Sequence, residues 1–235
     1  MQVTRRNGSS GRSIGGVLIM ILSGIIGGAA CERPAYGAGD LPKPAQDIPL
    51  GKAGEIRTLV VGGGCFWCVE SVFEKLDAVR DSVSGYAGGP KETANYKAVS
   101  AGDSGHVEVV KVTYDASKIS FGELLRVFFT THDPTTKDRQ GPDAGSQYRS
   151  AVFYENDEQK KVAEAYIAQL NAAKAFDAPI VTTLEPLKAF YDAEAYHQDF
   201  TRNNPRHPYI TRFAIPKVQK VQEKFGDQVK KDAGK

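Results

Sequence analysis

The run Ile56-Arg57-Thr58-Leu59-Val60-Val61-Gly62-Gly63-Gly64-Cys65-Phe66-Trp67-Cys68-Val69-Glu70-Ser71-Val72-Phe73 decides how the chain is read. Thr58 to Val61 is a short apolar stretch stopped by glycines, which predicts a buried strand. Beyond the glycines, Phe66, Val69, Val72, Phe73 and Leu76 recur at helical spacing. Cys65 therefore falls where a glycine loop turns into a helix. A thiol there meets unpaired backbone N–H groups and the positive end of the helix dipole, both of which favour the thiolate. Cys68 follows one helical turn later, so its sulfur can approach that of Cys65. The pair reads as an attacking and a resolving thiol. Two buried small hydrophobes and half of a zinc site are the competing readings. The chain has only 3 cysteines, and its 4 histidines lack metal spacing to the pair. Two thiols at this spacing suit any thiol oxidoreductase and do not by themselves fix a substrate.

Outward from this run, Val79 to Tyr86 predicts a second strand ending at Gly88-Gly89-Pro90, and His106 to Tyr114 a third. The two-residue period of a strand puts Glu108 on one face with Val110, Val112 and Tyr114. Ser120 and Glu123 form a capping box before a helix that stops ahead of His132-Asp133-Pro134. Arg149 to Tyr154 predicts a strand, Asn156 to Lys174 a helix and Ile180 to Leu184 a strand. This order predicts an α+β domain, a two-layer α/β sandwich with a mixed sheet and a ferredoxin-like core. After Pro186 the pattern is mostly irregular. A Lys-rich helix near Val218 to Lys231 reads as a solvated face. The domain is accordingly placed at 55–215, with 216–235 as a Lys-rich tail.

The chain has 235 residues, 41% apolar and 25% charged, which are ordinary globular values. They exclude a disordered, collagen-like or many-span membrane protein. Its formal charge of +2 comes from the N-terminus, where Arg5, Arg6 and Arg12 stand without an acidic residue. Without residues 1–30 the balance is 27 basic against 28 acidic, so nothing favours nucleic acid as a partner. The arginines, the apolar run Ile14 to Ile26 and the small residues Gly27 to Ala30 form the three-part pattern of an export signal. The expected location is periplasmic, with an uncleaved membrane anchor as the alternative. Cys31 directly after the small residues is a candidate lipidation site. Pro34, Pro42, Pro44 and Pro49 mark 31–54 as a linker.

Gly64-Cys65-Phe66-Trp67 resembles the active-site motif of the A-type peptide methionine sulfoxide reductases. Further matches follow in order: Gly85-Tyr86-Ala87-Gly88-Gly89, Tyr96, Ser104-Gly105-His106-Val107-Glu108 and His132-Asp133-Pro134. After them come Arg139-Gln140-Gly141, Gln147-Tyr148-Arg149-Ser150 and Ala195-Tyr196-His197-Gln198. The resemblance spans residues 56 to 210.

It implies that Cys65 attacks the sulfur of methionine sulfoxide while Glu108 protonates the oxygen. Tyr96 and Tyr148 match the tyrosines that hydrogen-bond that oxygen, and Asp143 matches a nearby aspartate. Phe66 and Trp67 match the pocket for the methionine methyl group, and His197 a histidine placed with them in a supporting role. The product would be methionine and a Cys65 sulfenic acid, which Cys68 converts to a disulfide that a thioredoxin or thioredoxin-like dithiol reopens. The resemblance implies the S epimer, free or in proteins, and repair of oxidised proteins. No cofactor or metal is expected, and a monomer is. Many family members carry Gly where Cys68 stands and place recycling cysteines near the C-terminus, whereas this chain has no cysteine after Cys68. Pro142 stands where the family often has Asn.

Two other classes are compatible with parts of the pattern. A thioredoxin-like disulfide oxidoreductase would account for the cysteine pair and export, but not for Glu108 or the tyrosines. An exported binding module for methionine-rich segments would use Phe66 and Trp67, but has no need of Cys68.

Overall fold

Ile56–Gly62 forms β1, an inner strand of a six-stranded sheet. Leu59 and Val61 face one side of that sheet and Val60 the other, and all three are buried. Burial on both faces is why this strand is apolar without alternation. The computed structural model describes residues 40–231. The expected export signal 1–30, Cys31 and the start of the Pro-rich stretch lie outside the described residues.

The chain continues through α1 (Phe66–Phe73), β2 (Val79–Ala87), α2 (Tyr96–Ser100), β3 (Val107–Asp115) and α3 (Phe121–Thr131). A small hairpin of β4 (Arg139–Gln140) and β5 (Asp143–Ala144) precedes β6 (Ala151–Tyr154) and α4 (Asp157–Ala172). Then come β7 (Thr183–Pro186), β8 (Phe190–Asp192), α5 (Phe200–Asn203) and α6 (Ile215–Lys224). The main sheet has the order β7-β6-β1-β3-β2-β8. Its pairs are antiparallel except β6 with β7. Within it, β1-α1-β2-β3-α3-β6 with strand order β6-β1-β3-β2 is the ferredoxin-like arrangement, as expected. The parallel β7 and the edge strand β8 extend this core into a mixed sheet.

Helices α1, α3 and α4 pack on one face, against Leu59, Val61, Val110, Val112 and Tyr114. The opposite face carries a smaller cluster of Val60, Val107, Val109 and Phe153, closed by Leu187 and Phe190. Ser120 caps α3 by accepting from the Glu123 N–H at 3.2 Å, and Asn156 caps α4 by accepting from the Gln159 N–H at 2.9 Å.

Four expectations are corrected. The strand placed at Ile180 to Leu184 forms at Thr183–Pro186, because Ala151 to Tyr154 pair with Thr183 to Pro186 and set the register. The region after Pro186 also supplies β8, whose pairing with β2 is tertiary and leaves no periodic signal in three residues. The expected tail at 216–235 belongs, as far as residue 231, to the domain. Val218 and Val221 of α6 are buried, Leu76 bridges to Val229, and the Lys230 N–H donates to the Lys75 carbonyl at 2.8 Å. The expected linker at 31–54 is bound to the domain from residue 40 onward. Leu41 and Ile48 join the core, and Asp47 accepts from the Gly122 N–H at 2.7 Å at the start of α3. Prolines shape this segment without freeing it.

Candidate active site

Cys65 is the N-cap of α1, and Gly64 before it has φ +88°. A Cβ on Gly64 would lie 2.5 Å from both Cβ and Cγ of Gln140. Glycine is therefore required both by the backbone and by the β4 side chain packed against it. His132 lies under the same loop. Its Nδ1 lies 2.7 Å from the Phe128 carbonyl, which can only accept, so this nitrogen carries the proton and Nε2 accepts from Ser150 Oγ at 2.7 Å. Burial lowers the pKa of His132 to about 3 and keeps it neutral.

Glu108 enters from β3 beneath the first turn of α1. It is 2% exposed, and its Oε2 accepts from the Phe66 N–H at 3.1 Å. Burial raises its pKa to about 8 against that hydrogen bond, with Asp143 and Cys68 adding to the rise. At neutral pH it is a carboxylic acid able to give a proton.

Cys65 and Cys68 are both buried and unbridged. The expected low-pKa Cys65 is corrected: burial pushes its thiol up, and Cys68 beside it adds to the rise. The helix terminus does too little to offset this, because the Phe66 N–H serves Glu108 and only the Trp67 N–H serves the sulfur. Cys68 is shifted down, first by the hydrogen bond it receives from Cys65. Within the pair, Cys65 therefore holds its proton more tightly than Cys68.

The other expected residues gather around these groups. Burial raises the hydroxyls of Tyr96 and Tyr148, and both feel the charges of Glu108 and Cys65. Burial raises Asp143 too. It sits across the Gly141-Pro142 corner, paired with Gln140, so the departure at Pro142 is accommodated by a tight hairpin. Phe66 is 1% exposed and forms the floor, whereas Trp67 is only partly buried and stacks on Phe200 with ring centroids 3.8 Å apart. His197 accepts from the Trp67 Nε1–H at 3.2 Å and packs 4.6 Å from the Tyr96 ring. It is 1% exposed and packs between the two aromatic rings. Among the described residues no group of three metal-ligating side chains forms.

Three participants escaped the sequence reading. Tyr209 donates to Asp143 Oδ2, hydrogen-bonds Cys68 and packs edge-on to Trp67 at 6.1 Å. Its signal was the aromatic cluster His207, Tyr209 and Phe213 in a stretch with no other pattern. Glu194 accepts from the Tyr96 N–H and the Tyr86 hydroxyl, each at 2.9 Å, and stands directly before the matched Ala195-Tyr196-His197. Lys217 of α6 is buried close to Cys68 and Asp143, and nothing in a Lys-rich helix marks it out.

A reactive thiol pair, an un-ionised carboxyl and a wall of aromatic rings define the class as a thiol-dependent reductase of a small apolar-plus-oxygen group. A sequence model of the peptide methionine sulfoxide reductases matches residues 57–229. The peptide methionine sulfoxide reductase MsrA of Natronomonas pharaonis is 51% identical over 172 residues, covering 73% of this chain and 97% of that protein. MsrA 2 of Synechocystis is 46% identical over 193 residues, covering 81% and 90%. Among solved structures, reduced Mxr1 of Saccharomyces cerevisiae superposes with a TM-score of 0.60 at 34% identity, covering 69% and 92%. Methionine sulfoxide reductase A of Corynebacterium diphtheriae does so with 0.56 at 30% identity, covering 75% and 91%. The chain belongs to the peptide methionine sulfoxide reductase family. It reduces methionine sulfoxide to methionine and repairs oxidised proteins.

Proposed function

We propose that the chain reduces the S epimer of methionine sulfoxide through Cys65 and Glu108 and stores the oxidising equivalents in a Cys65–Cys68 disulfide. The observation that carries this is the buried Glu108 carboxyl held to the N–H of Phe66, the residue after Cys65, where burial raises its pKa to about 8. Cys65 attacks the sulfoxide sulfur and passes its proton along the hydrogen bond to Cys68. Glu108 gives its proton to the oxygen, whose developing charge the Tyr96 and Tyr148 hydroxyls stabilise. The sulfur–oxygen bond of the substrate breaks, methionine leaves, and Cys65 carries the oxygen as a sulfenic acid. Cys68 then forms the disulfide and water departs. Phe66 and Trp67 receive the methyl group, and Asp143, fixed by Tyr209, borders the oxygen side.

The test uses reduced protein spanning residues 40–235, freed of reductant and mixed with each epimer of a blocked methionine sulfoxide. The S epimer releases one methionine per chain with loss of both thiols, and the R epimer releases none. Intact thiols with no methionine would sink the assignment, and thiol loss without methionine would point to a general disulfide oxidoreductase.

The signal-like residues 1–30 further support export to the periplasm, where thiols tend to oxidise, and hence a dedicated thioredoxin-like electron donor. Fractionating cells that express the full chain and a chain lacking 1–30 tests this. Activity confined to a cytoplasmic form would overturn it. A monomer is expected, and sedimentation of the full chain checks it.

A further inference from the structure

Tyr96 is the first residue of α2, a helix of five residues in which Val99 alone is buried. So short a helix is not stable by itself, and its first N–H groups have no partner within it. The Asn95 side chain takes one of them, accepting from the Ala98 N–H at 3.1 Å. The Tyr96 N–H donates instead to Glu194 Oε1 at 2.9 Å, across 98 residues of chain. The second oxygen of that carboxylate, Oε2, accepts from the Tyr86 hydroxyl at 2.9 Å. Tyr86 is fully buried in β2 and stands opposite Glu108 of β3. Glu194 thus ties the start of α2 to the strand pair that carries the acid.

We propose that Glu194 is a positioning residue for the reduction step, holding Tyr96 in register with Glu108 so that hydroxyl and acid meet the same sulfoxide oxygen. This rests on reading Tyr96 as a donor to that oxygen. The carboxylate is itself held on a fixed support. The Ala193 N–H donates to the Ser84 carbonyl of β2 at 2.9 Å. The Gln198 side chain accepts from the Ser84 N–H at 3.0 Å and donates to the Ser84 and Ala193 carbonyls at 2.9 Å each. The ring of Tyr96 is held from the same segment, since His197 packs 4.6 Å from it. The Trp67 indole can only donate, so His197 Nδ1 accepts and Nε2 carries the proton. That Nε2 is buried without a hydrogen-bond partner among the described residues, and it lies 4.0 Å from Glu194 Oε2.

The donors explain the residue type. They arrive from two elements, and a carboxylate offers an acceptor oxygen to each. A glutamine has one acceptor oxygen and must turn its NH2 toward the other donor. The Tyr86 phenol can reverse and accept from that NH2, whereas the Tyr96 backbone N–H cannot. Gln at 194 therefore keeps the hold on α2, and Ala loses it. The Glu194 side chain is 35% exposed, so its truncation opens no sealed cavity and the fold is retained. A displaced Tyr96 leaves the chemistry in place but misaligns one of the groups that stabilise the developing charge.

The test is a double-mutant cycle on the full chain. The first-turnover rate of methionine release at saturating blocked methionine sulfoxide is measured for wild type, E194A, E194Q, Y96F and Y96F/E194A. Y96F is expected to slow release about 10²-fold, as loss of one donor to the oxygen does. E194A is expected to slow it about tenfold when Tyr96 is present and to change it by no more than about twofold in the Y96F background. E194Q recovers most of the E194A loss. An E194A chain with the wild-type rate would overturn the proposal. So would an equal loss with and without the Tyr96 hydroxyl, because Glu194 would then act on the fold at large. A wild-type rate for Y96F would remove that hydroxyl from the reaction and the proposal with it. That outcome is distinct from failure of Glu194 alone, in which Y96F is slow and E194A is not.

Discussion

The Phe66 N–H donates to Glu108 Oε2 at 3.1 Å, joining the first turn of α1 to the β3 carboxyl beside the Cys65 sulfur. One contact thus fixes where the acid points and diverts a helix-terminal N–H from the thiol. Burial favours the un-ionised carboxyl of Glu108 and the protonated thiol of Cys65.

Replacing Glu108 by Gln keeps an acceptor for the Phe66 N–H but removes the proton. First-turnover methionine release is expected to fall about 10²- to 10⁴-fold with an unchanged circular dichroism spectrum. In the wild type the acid form is lost as pH rises through about 8, so release declines on the alkaline side. E108Q loses that decline. A Gln variant with the wild-type rate and profile would rule out the carboxyl as donor.

Gly64→Ala puts a Cβ into Gln140 at 2.5 Å and forces φ +88° on an L side chain. The strain costs about 1–3 kcal/mol. It also displaces Gln140, whose amide donates to the Asp133 carbonyl at 3.0 Å. Thermal unfolding and first-turnover rate are both expected to drop. A variant with unchanged Tm would show that the loop relaxes freely.

Glu70 is 1% exposed, and burial, with Glu74 beside it, raises its pKa to about 8. A raised acid stabilises the fold fully below its unfolded value, and that contribution is lost as pH rises through the folded value. The window runs from 4.5 to about 8. Glu70→Gln cannot ionise, so it raises Tm by several degrees near pH 9 relative to wild type and changes it little near pH 4. Equal shifts at both pH values would mean that Glu70 is not ionised on unfolding alone.

Asp47 accepts from Ser120 Oγ at 2.5 Å and from the Gly122 N–H at 2.7 Å, so a residue far upstream completes the start of α3. Asp47→Ala is expected to cost about 1–2 kcal/mol, a Tm drop of about 2–8 °C for a domain of this size. Starting the chain at residue 55 should cost more, since it also strips Leu41 and Ile48 from the core. Equal Tm values for chains starting at 40 and 55 would return this segment to the status of a linker.

The ferredoxin-like core and the cysteine-bearing loop are legible in the sequence. The signals there are local and strong. Val60 and Val61 form a continuous apolar run, Ser120 and Asn156 cap the helices they precede, and Glu108 keeps phase with Val110 and Val112 along β3. A motif carried on one glycine loop brought Cys65, Phe66, Trp67 and Cys68 with it. Only the tertiary structure decided what depends on distant partners. A three-residue edge strand such as β8 exists because β2 is there to pair with it. Asp47 looks like one more polar residue among prolines until it meets Gly122. Tyr209 and Lys217 come close to the cysteines because the chain from 209 to 224 folds back on α1, whereas the sequence pattern singled out neither residue. The direction of the Cys65 shift was likewise beyond reach, since burial outweighs the helix terminus once Glu108 takes the Phe66 N–H. Periodicity and capping report on neighbours in the chain, whereas desolvation and charge report on neighbours in space.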